Sequence, residues 1–129
     1  MTCVAAIQMI SSADVGLNLD GASRLLREAR AQGARVAALP ENFAFMGVAE
    51  ADKFAIAEID GDGPIQARLA SLASELGLWI VAGTIPLRVP GETRLAAACL
   101  VYDAAGRRVA RYDKIHLFDV EIPGKDERY

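Results

Sequence analysis

Short apolar runs alternate along most of this chain with longer segments in which apolar residues recur every three or four positions. The runs are Val4 to Ile10, Val36 to Leu39 and Leu78 to Ile85. Apolar runs without polar alternation are typical of buried parallel strands, which meet an apolar environment on both faces. The pattern therefore predicts three parallel strands.

The periodic segments predict two amphipathic helices, at about residues 18–32 and 64–76, with a weaker helical pattern at about 50–58. Gly33 and Gly77 follow the two helices, and glycine readily adopts the left-handed conformation that ends many helices. The two apolar stripes consist of Leu19, Ala22, Leu25, Leu26 and Ala29, and of Ile65, Leu69, Leu72, Ala73 and Leu76. Strand, helix and strand in this order imply right-handed crossovers.

The pattern changes in the last third of the chain. Two extended runs, Arg94 to Tyr102 and Arg107 to Tyr112, are joined by Asp103-Ala104-Ala105-Gly106. Short polar residues and glycine between two such runs indicate a hairpin, which adds antiparallel strands to the parallel ones. The sequence thus predicts an α/β fold with a mixed sheet and two covering helices.

Composition narrows the class of protein. The chain has 129 residues, 53% of them hydrophobic, and a net charge of −3. Without a basic block we expect no nucleic-acid partner and no anionic membrane partner. No apolar run approaches the roughly 20 residues of a membrane span, and the start lacks signal-peptide features, so we expect a soluble cytoplasmic protein. No phosphate-binding glycine loop follows the first strand, and no cofactor is expected.

The two cysteines, Cys3 and Cys99, each lie in an apolar run and form no metal-ligand pattern. Neither stands at a sharp strand-to-helix turn, where a nucleophile would be exposed and activated. We expect both to be buried and unbridged, although a disulfide is possible.

Two ionisable residues stand directly where apolar strands end. Glu41 follows Val36 to Pro40, and Lys114 follows the run that ends at Tyr112. Because functional groups gather at the carboxyl ends of strands in open α/β sheets, we expect the two side chains to meet at one rim. A carboxylate there suits a general base, and an ammonium suits an oxyanion formed in acyl transfer. The alternatives are an exposed turn glutamate and a solvated strand-end lysine.

Other ionisable residues have weaker claims. His116 fits a hydrogen-bonded loop, and Asp113 and Asp119 fit turns or caps. No local context selects the remaining acidic residues of this part of the chain, which are Glu92, Glu121 and Glu127.

Four stretches together resemble the carbon–nitrogen hydrolase (nitrilase) superfamily, over essentially the whole chain. They are Val4 to Met9, Leu39-Pro40-Glu41-Asn42-Phe43, Ile80 to Pro86, and Tyr112-Asp113-Lys114-Ile115-His116-Leu117-Phe118-Asp119. The last stretch, continued to Gly124, is the most specific. It is similar to the branch that contains ω-amidases and deaminated-glutathione amidases.

The resemblance implies a four-layer α-β-β-α sandwich, of which residues 1–129 would form the N-terminal half as a partial domain. It implies that Glu41 is the general base and that Lys114 stabilises the tetrahedral intermediate. The attacking cysteine would lie beyond Tyr129, so this chain alone is expected to be inactive. The implied substrate is a small carboxylamide, and the implied full-length form is a homo-oligomer. A non-catalytic α/β binding module is the alternative.

Overall fold

The sheet contains five strands in chain order. The computed structural model describes residues 1–116, and there the strands β1 to β5 lie side by side. Their bounds are Val4–Ala6, Val36–Leu39, Trp79–Arg88, Leu95–Tyr102 and Arg108–Asp113. The first three strands are parallel, and β4 and β5 continue the sheet antiparallel. The predicted mixed sheet is confirmed, although β1 is shorter and β3 longer than the apolar runs suggested.

Two long helices, α1 (Val15–Ala31) and α3 (Pro64–Leu76), pack beside each other. Between them in the sequence, the short helix α2 (Lys53–Ile56) follows a 3-10 turn at Glu50–Asp52. Helix α1 begins earlier than the apolar stripe predicted, because Asp14 caps it by accepting a hydrogen bond of 3.0 Å from the backbone N of Leu17. The predicted bounds of α3 are confirmed, and Gly77 ends it in the left-handed conformation at φ 57°.

Helices α1 and α3 cover the same face of the sheet. Arg30 of α1 donates to the backbone O of Leu76 at 2.8 Å, and Arg27 forms an ion pair with Glu75. Alternate strand residues point towards these helices and form the core with Leu26 and Leu69. These strand residues are Ala37, Leu39, Ile80, Ala82, Ala98, Leu100 and Tyr102. Within residues 1–116, no helix is long and apolar enough to cross a membrane.

The opposite face of the sheet is left uncovered by the described residues, and we call it the open face. Its central part is formed by strand residues that alternate with those of the core: Val4, Ala6, Val36, Ala38, Trp79, Val81, Gly83, Cys99, Val101, Ala110 and Tyr112. None of these side chains carries a charge at neutral pH. Val4 is 68% exposed and Tyr112 is 59% exposed, so the face is apolar and accessible.

The open face explains why the expectation of two buried cysteines is wrong. Cys3 directly precedes the edge strand β1 and is exposed. Cys99 lies on the open face and is half-buried. The prediction assumed that every apolar strand is covered on both sides, whereas the helices cover one side only within residues 1–116. Both thiols are free, as expected.

A buried carboxylate joins the sheet to α3. Glu58 is 6% exposed, and its backbone pairs with the end of β3 through Pro86 and Arg88. Its side chain accepts hydrogen bonds from the backbone N of Ile65 at 2.5 Å and of Gln66 at 3.1 Å. These are amides of the first turn of α3, which lack partners within the helix. Glu58 therefore fixes the start of α3 against the sheet.

Gly63 is required at this junction for two reasons. It has φ 152°, a conformation that L side chains rarely adopt. A Cβ at this position would also lie 2.2 Å from Cδ of Glu58. The backbone thus passes closely over the carboxylate that caps the helix.

We expect Glu58→Ala to lower the free energy of unfolding by about 2–4 kcal/mol, because buried amide donors lose a charged acceptor. Glu58→Gln keeps one oxygen acceptor and should cost about half as much. Urea denaturation at constant protein concentration measures both. The control is Glu75→Ala, whose pair with Arg27 is exposed and should contribute less than about 1 kcal/mol. Equal losses for Glu58→Ala and Glu75→Ala would contradict the assignment.

We expect a protein that consists of residues 1–129 alone to self-associate through the open face, since an exposed apolar patch of this kind drives association. Val101→Lys places a charge in the middle of that face and should shift sedimentation towards the monomer. Ala31→Lys, on the exposed end of α1, is the matched control and should leave the distribution unchanged. A wild-type protein that sediments as a monomer at all concentrations would refute the prediction.

Candidate active site

Glu41 and Lys114 meet at the rim of the sheet. The distance from Lys114 Nζ to Glu41 Oε1 is 2.5 Å, although the two residues are 73 positions apart in the chain. The side chain of Glu41 is 55% exposed and that of Lys114 is 30% exposed. The predicted approach of the two residues is confirmed. Glu41 is also exposed in a turn, as the alternative interpretation predicted, but this turn directs its side chain towards Lys114.

A tight turn follows β2 and carries Glu41. Asn42 adopts a left-handed conformation at φ 54°, which asparagine tolerates better than most residues. The backbone N of Phe45 donates to the O of Asn42 at 3.1 Å. Phe43 is completely buried, and Phe45 nearly so. The aromatic side chains therefore anchor the turn in the core while Glu41 stays at the surface.

The sheet register brings Lys114 to the same level. Its backbone N donates to the O of Ala97 at 2.9 Å, which continues the pairing of β5 with β4 by one residue. The turn that carries Glu41 is joined to the central strand β3, because the backbone N of Asn42 lies 3.5 Å from Oγ1 of Thr84. Ile115, the residue that follows Lys114, is 73% exposed.

An acid on a neighbouring loop holds β5. Asp60 accepts hydrogen bonds from Arg108 and forms an ion pair of 2.9 Å with Arg111. The guanidinium of Arg108, followed by the charge of Arg111, lowers the pKa of the Asp60 carboxyl despite partial burial. Arg111 also pairs with Asp113 at 2.7 Å, which agrees with a structural role for Asp113. These pairs fix β5, the strand that Lys114 follows.

The other candidates stay apart from this contact. His116 is exposed, and Glu92 pairs with Arg94. Asp119, Glu121 and Glu127 lie outside the described residues. Cys3 is at the start of β1, which is the opposite rim from Glu41. Burial raises the pKa of the Cys99 thiol, which disfavours the reactive thiolate. No group of three metal-ligating side chains converges within residues 1–116.

One buried residue near Glu41 was missed by the sequence analysis. Asn18 is 5% exposed and contacts the turn that follows Glu41. The stripe of α1 could have indicated it, because Asn18, Ala22 and Leu26 share one helix face and Asn18 alone among them is polar. The predicted helix begins at about this position, where a polar residue is common, so the pattern gives no reason to expect a buried amide.

The comparison with known proteins identifies the family of this chain. Residues 3–129 match the family model described as carbon–nitrogen hydrolase. The chain therefore belongs to the carbon–nitrogen hydrolase family. Among curated relatives it is 34% identical over 120 residues to the omega-amidase NIT2 of Xenopus tropicalis, covering 92% of this chain and 42% of that protein. It is 38% identical over 120 residues to a deaminated glutathione amidase of Synechocystis, with 92% and 43% covered. The chain thus spans about two-fifths of their length.

Solved structures share the fold. The NitFhit protein of C. elegans superposes with a TM-score of 0.84 at 28% identity, covering 98% of this chain and 30% of that one. An amidase from Nesterenkonia gives a TM-score of 0.76 at 23% identity, covering 95% and 48%. The α/β fold with its mixed sheet is therefore the nitrilase-superfamily fold, as the sequence resemblance implied.

We expect Asp60→Asn to destabilise the protein at pH 7 by about 0.5–1 kcal/mol, a modest loss because the pairs are partly exposed to solvent. The pKa of Asp60 is lowered by folding, so its contribution is present above the ordinary value of about 4 and disappears as pH falls through the lowered value. Denaturation of both proteins from pH 7 to pH 2 should therefore converge at the acid end. Asp62→Asn, at an exposed acid of the same loop, is the control. A difference that persists unchanged at pH 2 would exclude the ion pair as its cause.

Proposed function

We propose that this chain contributes the general base and the oxyanion-stabilising ammonium of an amidase that hydrolyses small carboxylamides. Residues 1–129 are, on this proposal, the first part of a carbon–nitrogen hydrolase domain. The observation that carries it is the 2.5 Å contact between Glu41 and Lys114 at the rim of the sheet. Membership of the family and similarity to proteins named as amidases support the reaction class.

The contact suits the two roles chemically. Lys114 has three N–H donors, and one of them serves Glu41, which leaves two for the carbonyl oxygen of an amide. Glu41 contacts the lysine through Oε1, and a carboxylate has a second oxygen that can accept a proton. The partial exposure of both side chains gives a small substrate access to them.

The reaction needs a nucleophile in addition, and neither cysteine of this chain suits that role. We assign it to a cysteine outside residues 1–129. Glu41 would take the thiol proton as sulfur attacks the amide carbon, and Lys114 would donate to the oxyanion that forms. Collapse of the intermediate would release ammonia, protonated by Glu41, and leave a thioester. Water, deprotonated by Glu41, would then release the carboxylic acid.

The proposal extends to substrate and setting. Small ω-amides are the substrates to test first, because the curated relatives at 34–38% identity are named for an ω-amidase and a deaminated glutathione amidase. A homo-oligomer in the cytoplasm is the assembly and compartment we propose for the complete protein. The free thiols Cys3 and Cys99 fit a reducing compartment.

In the native full-length protein, Glu41→Gln and Lys114→Met should each lower kcat for ammonia release by about 10²–10⁴-fold, because each removes a group that acts on the transition state. Ammonia is measured with α-ketoglutaramate and a panel of small amides. Glu28→Gln, on the exposed surface of α1, is the matched control and should keep activity within about twofold. A wild-type protein that binds amides without releasing ammonia would instead favour the binding module.

A further inference from the structure

Asn18 uses its whole buried amide group to join two loops. It is 5% exposed, and Nδ2 donates to the backbone O of Ser12 at 2.7 Å and of Ala44 at 2.9 Å. Oδ1 accepts a hydrogen bond from the backbone N of Ser12 at 2.9 Å. Ser12 belongs to the loop that follows β1, whereas Ala44 belongs to the turn that follows β2. One helix side chain therefore ties together two loops at the same rim of the sheet.

Further contacts run between the same two loops. Ser11 Oγ donates to the backbone O of Phe43 at 3.0 Å, and the backbone N of Met46 donates to the O of Ser12 at 2.9 Å. The Asn18 contact lies between these two, at Ala44. The turn from Asn42 to Met46 is thus held along its length by the loop after β1, with Asn18 in the buried centre.

The direction of Glu41 depends on this turn. The glutamate is more than half exposed, so little packing holds its side chain in place. Its direction towards Lys114 follows from the backbone of the turn, which Asn42 bends through its left-handed conformation. If the turn shifts by about 1 Å, a catalytic group in it can lose on the order of 10²-fold in rate.

We propose that Asn18 is a positioning residue for Glu41, and that its buried amide holds the turn in the conformation that places the carboxylate on Lys114. The catalytic meaning of this placement rests on the proposed function, whereas the placement itself does not. The competing explanation is that Asn18 contributes only to overall stability, like any satisfied buried polar group.

A zero-length crosslink measures the placement directly. A carbodiimide activates the Glu41 carboxylate, and the Lys114 amine then displaces the urea to form an amide, so the crosslinked protein is lighter by one water. Mass spectrometry of the digested protein quantifies the linked peptide. The native full-length protein, Asn18→Ala, Asn18→Asp and Ser23→Ala are compared. Asn18→Asp has the shape of asparagine and keeps the acceptor for the backbone N of Ser12, but it replaces the donor to the backbone O of Ser12 and of Ala44.

Ser23→Ala is the matched control. Ser23 is as buried as Asn18 and lies on the same helix, but its Oγ donates within α1 to the O of Leu19 at 2.7 Å. We expect both Asn18 variants to lower the crosslink yield at least about fivefold under conditions where circular dichroism shows folded protein. Ser23→Ala should stay within about twofold of wild type even where its melting temperature falls equally. An unchanged yield in a folded Asn18 variant would overturn the proposal.

Kinetics provide the second readout. Asn18→Ala should lower kcat for ammonia release about 10–100-fold and change KM less than about threefold, since the substrate contacts remain. The two arms separate the two proposals. If the wild-type protein releases no ammonia but the crosslink still depends on Asn18, the amidase function is wrong and the positioning role stands. If ammonia release depends on Glu41, but the Asn18 variants leave the crosslink yield and kcat unchanged, the positioning role is wrong.

Discussion

The pairing of β3 with a parallel strand on one side and an antiparallel strand on the other determines the rest of the structure. In β3, Ala82 pairs with Leu39 of β2, and Pro86 pairs with Ala97 of β4. This register places the end of β2 and the end of β5 at one level of the sheet. Because Glu41 follows β2 and Lys114 follows β5, the register of the central strand sets their separation. A shift of two residues would move one of them by about 7 Å.

Much of this arrangement could be predicted from the sequence, because it depends on periodicity and on where strands end. The apolar stripe of α3, with Pro64 and Gly77 at its ends, gave the correct bounds. The positions of Glu41 and Lys114 after apolar strands predicted their contact. Neither inference requires knowledge of what covers the sheet.

The prediction that both cysteines are buried is wrong because it depends on what covers the sheet. An apolar strand indicates that a residue can be buried, but not which layer buries it. The apolar run predicts that Cys99 is buried, although Ala98 and Leu100 on either side of it are the residues that face the helices. The sequence pattern also does not predict hydrogen bonds between polar groups that are distant in the chain. Asn18 and Ala44 are 26 residues apart, and no local pattern links a helix amide to that carbonyl.

The open face carries its own optical probe. Trp79 is the single tryptophan of the chain, lies on this face at the start of β3 and is 42% exposed. Indole emission depends on the polarity around the ring, so the fluorescence of the unlabelled protein reports whether water or an apolar layer adjoins the sheet. A change in this emission would therefore report whether the open face is covered, in dilute solution and in real time.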